Sequence, residues 1–226
     1  MKKKLSSMPS FVPTMISMLL WIGILVFFWE MGARKMDLTK RTPENILPHL
    51  KNIWEAIISN KKVAGGKTAL QVVLSSAGMT LLRALYGFLA GTAFGFLLAL
   101  VMKMSGIVEK LLFPYLMLIQ MIPILGMAPI ILSITGDINV SRVVIAGILT
   151  FYPVATNTLA GFNAVEKEKY ELMYTYAAGK ATIYRKVLIP YSIPYFFTGL
   201  KIAAPMAITA SILVDTLQGD GGLGCM

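Results

Sequence analysis

Long apolar stretches alternate with short polar ones along this chain, and the alternation predicts a series of helices. From Leu5 to Trp29 there is no formal charge, and from Thr14 onward the stretch is dense in Met, Ile, Leu, Val and Phe. A helix that crosses a membrane needs about 20 apolar residues, so a first span is expected within residues 1–32. A cleaved leader would be shorter and end in small residues at a cleavage site. This stretch runs instead into Trp29-Glu-Met-Gly-Ala-Arg34, which favours an uncleaved helix. Further spans are expected over about 79–102, 111–135, 143–160 and 195–214.

Features within the spans refine this reading. Gly87, Gly91 and Gly95, followed by Ala99, fall on one helix face and predict a close helix–helix contact. The third span carries Pro114, Pro123 and Pro129. Proline kinks a helix, and the freed carbonyls need partners that lipid cannot supply. Pro123 and Pro129 are therefore candidate pathway residues. Asn157, four residues after Pro153 in the fourth span, can bond across helices or line a pathway. Lys201 lies a few residues inside the fifth span, close enough to its end to snorkel, yet an intramembrane charge also marks a pathway. Asp215 is expected to be a solvated helix end, with contact to a cationic substrate or a binding protein as the alternative, and Arg83 to sit at the interface.

Two polar intervals have structure of their own. In the segment 33–69, expected to be external, Ile46, Leu50, Ile53, Trp54, Ile57 and Ile58 recur at helical spacing and predict a short amphipathic helix. In the interval 163–191, Tyr170, Met173, Tyr174 and Ala177 fall at i, i+3, i+4 and i+7 and predict one half-aromatic face. Gly179 suits the left-handed residue that ends a helix. A second short helix is expected over 181–188, stopped by Ile189-Pro190. The result is a helix–glycine–helix hairpin, too apolar for a solvated loop and too short to span. It can rest on headgroups or dock into a groove on a soluble partner.

Composition places the chain in a membrane. Of 226 residues, 56% are hydrophobic and 14% charged, against about 25% charged in soluble domains. The mean hydropathy is +0.70. The net charge of +10 fits loops that orient a membrane protein better than a nucleic-acid surface. Lys2, Lys3 and Lys4 predict a cytoplasmic N-terminus, which puts 103–110 and the hairpin on the cytoplasmic side. The segment 33–69 opposes this rule, with eight Lys/Arg against three Asp/Glu. One cysteine, Cys225, and one histidine, His49, build neither a disulfide framework nor a His/Cys zinc site, and no cofactor is expected. Glu166, Glu168 and Glu171 lack a neighbouring His, Cys or apolar pocket for acid–base work. Gly66-Lys67-Thr68 ends like a phosphate loop, but Lys61 occupies the slot of its first glycine. No catalytic residues are expected, and energy must come from another chain.

Glu171 together with Val187-Leu188-Ile189-Pro190 resembles the EAA signature of ABC-transporter permease subunits. Leu172-Met173 stand where that signature has Ala-Ala, and Ala177 stands in its glycine slot. Thr80 to Arg83 with Gly87-Phe88, Phe151 to Pro153 with Asn157 and Gly161, Thr198 to Lys201, and Gly222-Leu223-Gly224 extend the resemblance over 70–226. The resemblance implies a type I importer of the nitrate, sulfonate, taurine or thiamine-precursor branch. It implies an all-α polytopic protein of the inner membrane with a permease core at 70–226. Two permease copies, two ATPase subunits and an external solute-binding protein would assemble in the membrane lipid. Tyr170, Glu171, Met173, Tyr174, Ala177, Gly179, Ile189 and Pro190 would form the surface that meets the ATPase. The family carries a sixth spanning helix, so five spans ending at Met226 imply a truncated chain. The alternative is an energy-independent secondary transporter, which would display inverted repeats, or another polytopic membrane protein.

Overall fold

The computed structural model describes residues 11–39, 46–59, 62, 66–218 and 221–225. The basic run Lys2–Lys4, Pro43 and Lys61 lie outside these residues. The chain divides into two units, 1–72 and 73–226, and each is taken by itself.

In the first unit, α1 (Phe11–Thr39) continues beyond Arg34, where the apolar stretch ends. Arg34, Lys35 and Met36 are good helix formers and carry it on. Residues 13–39 are long and apolar enough to cross a membrane. The amphipathic helix is α2 (Leu50–Ile58). It starts later than the spacing from Ile46 suggested, because Pro48 disfavours helical backbone at the residue before it. Two bonds from α1 hold its entry: Trp29 Nε1 donates to the Pro48 carbonyl at 3.0 Å, and the Leu50 amide donates to Glu30 Oε1 at 3.0 Å. A reciprocal cap then starts α3 (Ala69–Met104): the Gln71 amide donates to Thr68 Oγ1, and the Thr68 amide to Gln71 Oε1.

The rest of the chain is helical except for short turns. The third expected span is broken. It consists of α4 (Gly106–Met121), a 3-10 turn (Ile124–Met127) and α5 (Ala128–Thr135), bent by 76°. Pro123 forces Ile122 into extended backbone, which ends α4. Pro129 lies in the first turn of α5, where no amide donor is needed, so it starts a helix rather than kinking one. Gly136, at φ 68°, ends α5, and Asp137 Oδ1 accepts from the Val140 amide to start α6 (Ile138–Asn163). Then follow α7 (Lys167–Thr175), α8 (Lys180–Ile183), a π-helical turn (Tyr184–Leu188), α9 (Ile189–Gln218) and a 3-10 turn (Leu223–Cys225). Among the described residues, four helices are long and apolar enough to cross a membrane, or five with the bent pair counted as one span.

Packing in the second unit inverts the soluble pattern. Ala84, Ala99, Ala146, Ala155, Ala203, Ala207 and Ala210 are buried, while Leu85, Phe94, Leu97 and Phe197 are exposed. Small residues let membrane helices approach, and lipid accepts large apolar ones. Gly87, Gly91 and Gly95 face α6 at the closest approach. A methyl at Gly87 would fall 2.5 Å from Ala146 Cβ, one at Gly91 would strike the Gly147 carbonyl, and one at Gly95 would fall 2.6 Å from the Phe151 carbonyl. On the other side of α6, Gly199 of α9 abuts Pro153 and Asn157, and Gly161 abuts Ser192 and Tyr195.

Candidate functional site

Polar side chains of the second unit gather in two layers. In one, Lys103 Nζ donates to Asn163 Oδ1 at 2.6 Å, and Asn163 Nδ2 donates to Glu109 Oε1 at 2.7 Å. This layer joins the ends of α3 and α6 to the start of α4. The other joins the first half of α3, the start of α6 and the end of α9. On α6 the layers are marked by Asn163 and Arg142, about 31 Å apart at 1.5 Å per residue. That is the thickness of a bilayer's hydrocarbon core.

The layer at Arg142 overturns two expectations. Asp215 is not solvated; it is completely buried. Arg142 Nε lies 2.8 Å from its Oδ1, and Thr80 donates its hydroxyl to Oδ2 at 2.8 Å. Arg83 is not merely interfacial, since its Nη1 lies 3.6 Å from Asp215 Oδ1. Both guanidiniums also donate to the Gly221 carbonyl, at 3.2 and 3.3 Å. The Leu223 amide donates to Thr80 Oγ1, and Cys225 Sγ to the Asp215 carbonyl. A methyl at Gly222 would overlap the Asp215 carboxylate, so the Gly221–Cys225 segment lies directly on the charge pair. The sequence reading missed Arg142 entirely. Arg142 lies one residue before the expected fourth span, 143–160, so the apolar pattern leaves it out.

At the opposite layer sits the hairpin, and it differs from expectation in three respects. First, Gly179 is extended, at φ −69° and ψ 158°, and starts α8. The left-handed residue is Ala177, at φ 50°, the slot where the EAA signature has glycine. Second, Ile189-Pro190 does not stop the second helix. Residues 180–217 form one continuous helical run. The π turn accommodates the proline: the Ile189 amide reaches back to the Tyr184 carbonyl, and this wider turn relieves the clash of the Pro190 ring with the carbonyl four residues earlier. Third, the expected half-aromatic face is split. Tyr170 and Met173 pack against the buried cluster of Phe162, Val165, Ile183 and Leu188. Tyr174 and Ala177 point outward with Glu171, and so do Leu172, 56% exposed, and Tyr176, 75% exposed.

Beside the hairpin is a groove of about 540 Å³ lined by Lys103, Met104, Tyr170, Tyr174, Lys180 and Tyr184. Burial pushes the Tyr170 hydroxyl above its usual ionisation range, and that hydroxyl has no hydrogen-bond partner among the described residues. Lys169 lies over the Tyr191 ring, 4.3 Å from its centroid.

The candidate pathway residues do not form one cluster. Pro123 sits at the break between α4 and α5, beside a cavity of about 250 Å³ lined by Gln120, Ile124, Tyr152, Pro153, Ile202 and Met206. Among the described residues Asn157 makes no bond across helices; its Nδ2 donates to the Pro153 carbonyl of its own helix at 2.7 Å. Lys201 is exposed on α9.

In the first unit, His49 stands between two carboxylates, with Nδ1 2.7 Å from Glu30 Oε2 and Nε2 2.8 Å from Asp37 Oδ2. The Asp37 hydrogen bond, then the Glu30 one, raises its pKa above the ordinary 6.5.

The chain is similar to known membrane transport proteins. Residues 91–226 match the family described as binding-protein-dependent transport system inner membrane component. The formylaminopyrimidine transport permease protein of Halalkalibacterium halodurans is 28% identical over 91% of this chain and 77% of its own length. The nitrate import permease protein of Synechococcus elongatus is 29% identical over 76% of this chain and 62% of its own. The taurine transport system permease protein of Escherichia coli is 24% identical over 80% and 65%. A solved amino acid ABC transporter superposes with a TM-score of 0.58 at 24% identity, covering 68% of this chain and 75% of that one.

Proposed function

The chain belongs to the family of binding-protein-dependent transport inner membrane components, the permeases of ABC importers, and on that premise we propose how it works. Two copies form a pathway in the inner membrane, with the N-terminus and the hairpin in the cytoplasm. Two ATPase subunits bind the hairpins, and an external solute-binding protein delivers a small solute of the nitrate, sulfonate or vitamin-precursor kind.

The observation that carries this reading is the hairpin's division of labour. Tyr170 and Met173 are anchored in the buried cluster, while Leu172 and Tyr174 project from a short helix outside the spans and Tyr176 from the residue that follows it. Exposed apolar side chains on a short helix suit a groove on a soluble partner. Because α8 runs unbroken into α9, a displacement of the hairpin is passed to a spanning helix as a rigid lever. Glu171, Ala177 and Gly179 lie at the tip that the partner would cover, with Ile189 and Pro190 at the root.

The test is capture of the cognate ATPase by membrane-embedded Glu171→Lys and Tyr176→Glu chains, alongside uptake. Loss of both capture and uptake is the expected result. Retention of both by either variant overturns the assignment of the hairpin.

A further inference from the structure

Between the two polar layers, the helices α3 to α9 hold a single formal charge, and it is Lys201. Gly199 packs against Pro153 and Asn157, near the middle of α6, so Lys201 sits at mid-depth. It is about 15 Å from the Asn163 layer, counting ten residues of helix back to Tyr191. A lysine side chain is shorter than that, which removes the snorkelling explanation.

Lys201 also lies on an unusual face. The face of α9 turned to α6 is built of small buried residues, Gly199, Ala203 and Ala207 among them. Directly opposite runs a row of Pro194, Thr198, Lys201, Pro205, Thr209 and Thr216, all exposed, with half-buried Ile212 between the last two. Apolar Phe197 and Met206 flank the row on either side. The face farthest from the core would be the one most open to lipid, yet it carries Lys201, three threonines and two prolines. Pro205 also lacks the amide that would bond the Lys201 carbonyl, freeing an acceptor that needs another partner in hydrocarbon.

Among the described residues of α3 to α9, no fixed counter-charge lies beside Lys201. Among the described residues it makes no ion pair, and a second copy has no carboxylate of α3 to α9 between the layers to offer. At this depth a charge faces a water-filled cavity or pairs with another charge or a backbone carbonyl. We propose that the Pro194–Thr216 row lines the solute passage and that Lys201 is its anion contact. The solute carried is then an anion with a carboxylate, sulfonate or inorganic oxyanion group. This rests on the permease reading above and assigns the residue that selects its cargo.

The test uses membranes holding the assembled complex, with Cys225→Ser to remove the native thiol and Thr198→Cys as reporter, one helical turn from Lys201. An anionic and a cationic methanethiosulfonate reagent are applied from both faces, and the ratio of their labelling rates is read. Both reagents are expected to label the introduced thiol. Lys201→Gln is expected to lower the anionic-to-cationic ratio at least about fivefold, and Lys201→Arg to keep it, as a nearby charge acts oppositely on the two probes. Absence of labelling by either reagent, or a ratio unmoved by Lys201→Gln, overturns the proposal. ATPase capture is scored on the same membranes. Its loss in the Cys225→Ser chain would count against the hairpin assignment alone, because the labelling ratio needs no coupling.

Discussion

Replacing Arg142 with methionine tests whether the Asp215 carboxylate is sealed from water. Arg142 and Asp215 are both fully buried and 2.8 Å apart. Removing one partner of a buried pair costs about 3–5 kcal/mol, because the other charge is stranded, whereas a surface pair is worth at most about 1 kcal/mol. Arg83 remains 3.6 Å from the carboxylate, so Arg142→Met is expected near the lower end, at about 3 kcal/mol. Asp215→Leu strands Arg142 instead and is expected to cost a similar amount. The double variant strands neither charge. What remains is chiefly the Thr80 hydroxyl without its acceptor, about 1–3 kcal/mol. The coupling energy between the two changes is therefore about 3 kcal/mol or more. Unfolding by SDS in mixed micelles, followed by far-ultraviolet circular dichroism, measures all four proteins. Single costs below about 1 kcal/mol that add without coupling would mean a hydrated carboxylate and refute the argument.

Other expectations follow from single positions. Ala177→Gly relieves a left-handed alanine that costs about 1–2 kcal/mol, less about 0.4–1 kcal/mol for the freer unfolded chain. Exchange of the Ala178 amide, which donates to the Met173 carbonyl, is expected to slow a few-fold, and Ala177→Val to speed it. In α3, Gly91→Ala is expected to cost about 1–3 kcal/mol by overpacking, since its methyl would lie 2.7 Å from Thr150 Cβ. Gly78→Ala in the same helix meets nothing within 4 Å and is expected to be neutral or stabilising, and the same SDS titration compares them. His49 has a raised pKa, so its contribution is complete below the ordinary value of about 6.5 and is lost as pH rises through the raised one. Exchange of the Leu50 amide, corrected for its intrinsic rate, is expected to accelerate over that window, and the acceleration to vanish in His49→Gln.

Local pattern made much of the architecture legible. Uninterrupted apolar stretches marked α1, α3, α6 and α9, and Trp54 with its neighbours marked α2, because a helix long enough to cross hydrocarbon leaves a long signature. Tyr170 to Pro190 announced a hairpin through helical spacing and breakers. Three details were not local. Ala177 takes the left-handed conformation although alanine disfavours it, because the family's glycine slot is set by the turn and not by the residue. The π turn before Pro190 is a compromise between a proline and a continuing helix, and either residue pattern alone suggests a stop. The bend at Pro123 and the straight start at Pro129 have the same local signal, and only position within the helix separates them.

The burial of Arg142 and Asp215 was hidden for a different reason, yet a signal existed. In lipid, apolarity does not distinguish core from surface, so periodicity of size must be read in place of periodicity of hydrophobicity. Every fourth residue of α6 from Arg142, through Ala146, Thr150, Val154 and Thr158 to Phe162, is buried. The same holds along α9 for Gly199, Ala203, Ala207, Ser211 and Asp215. Such rows are the ridges by which packed helices interdigitate. Arg142 and Asp215 each end one of these ridges, and the two rows run antiparallel on facing helices. Extending the small-residue row of α9 by one more step places Asp215 in the interface, and the arginine ending the facing row is its counter-charge. The row Gly87, Gly91, Gly95 and Ala99 was read this way in α3. Applied to α6 and α9, the same rule turns an assumed solvated helix end into a buried ion pair, and leaves Lys201, on no small-residue row, as the charge that faces away from the core.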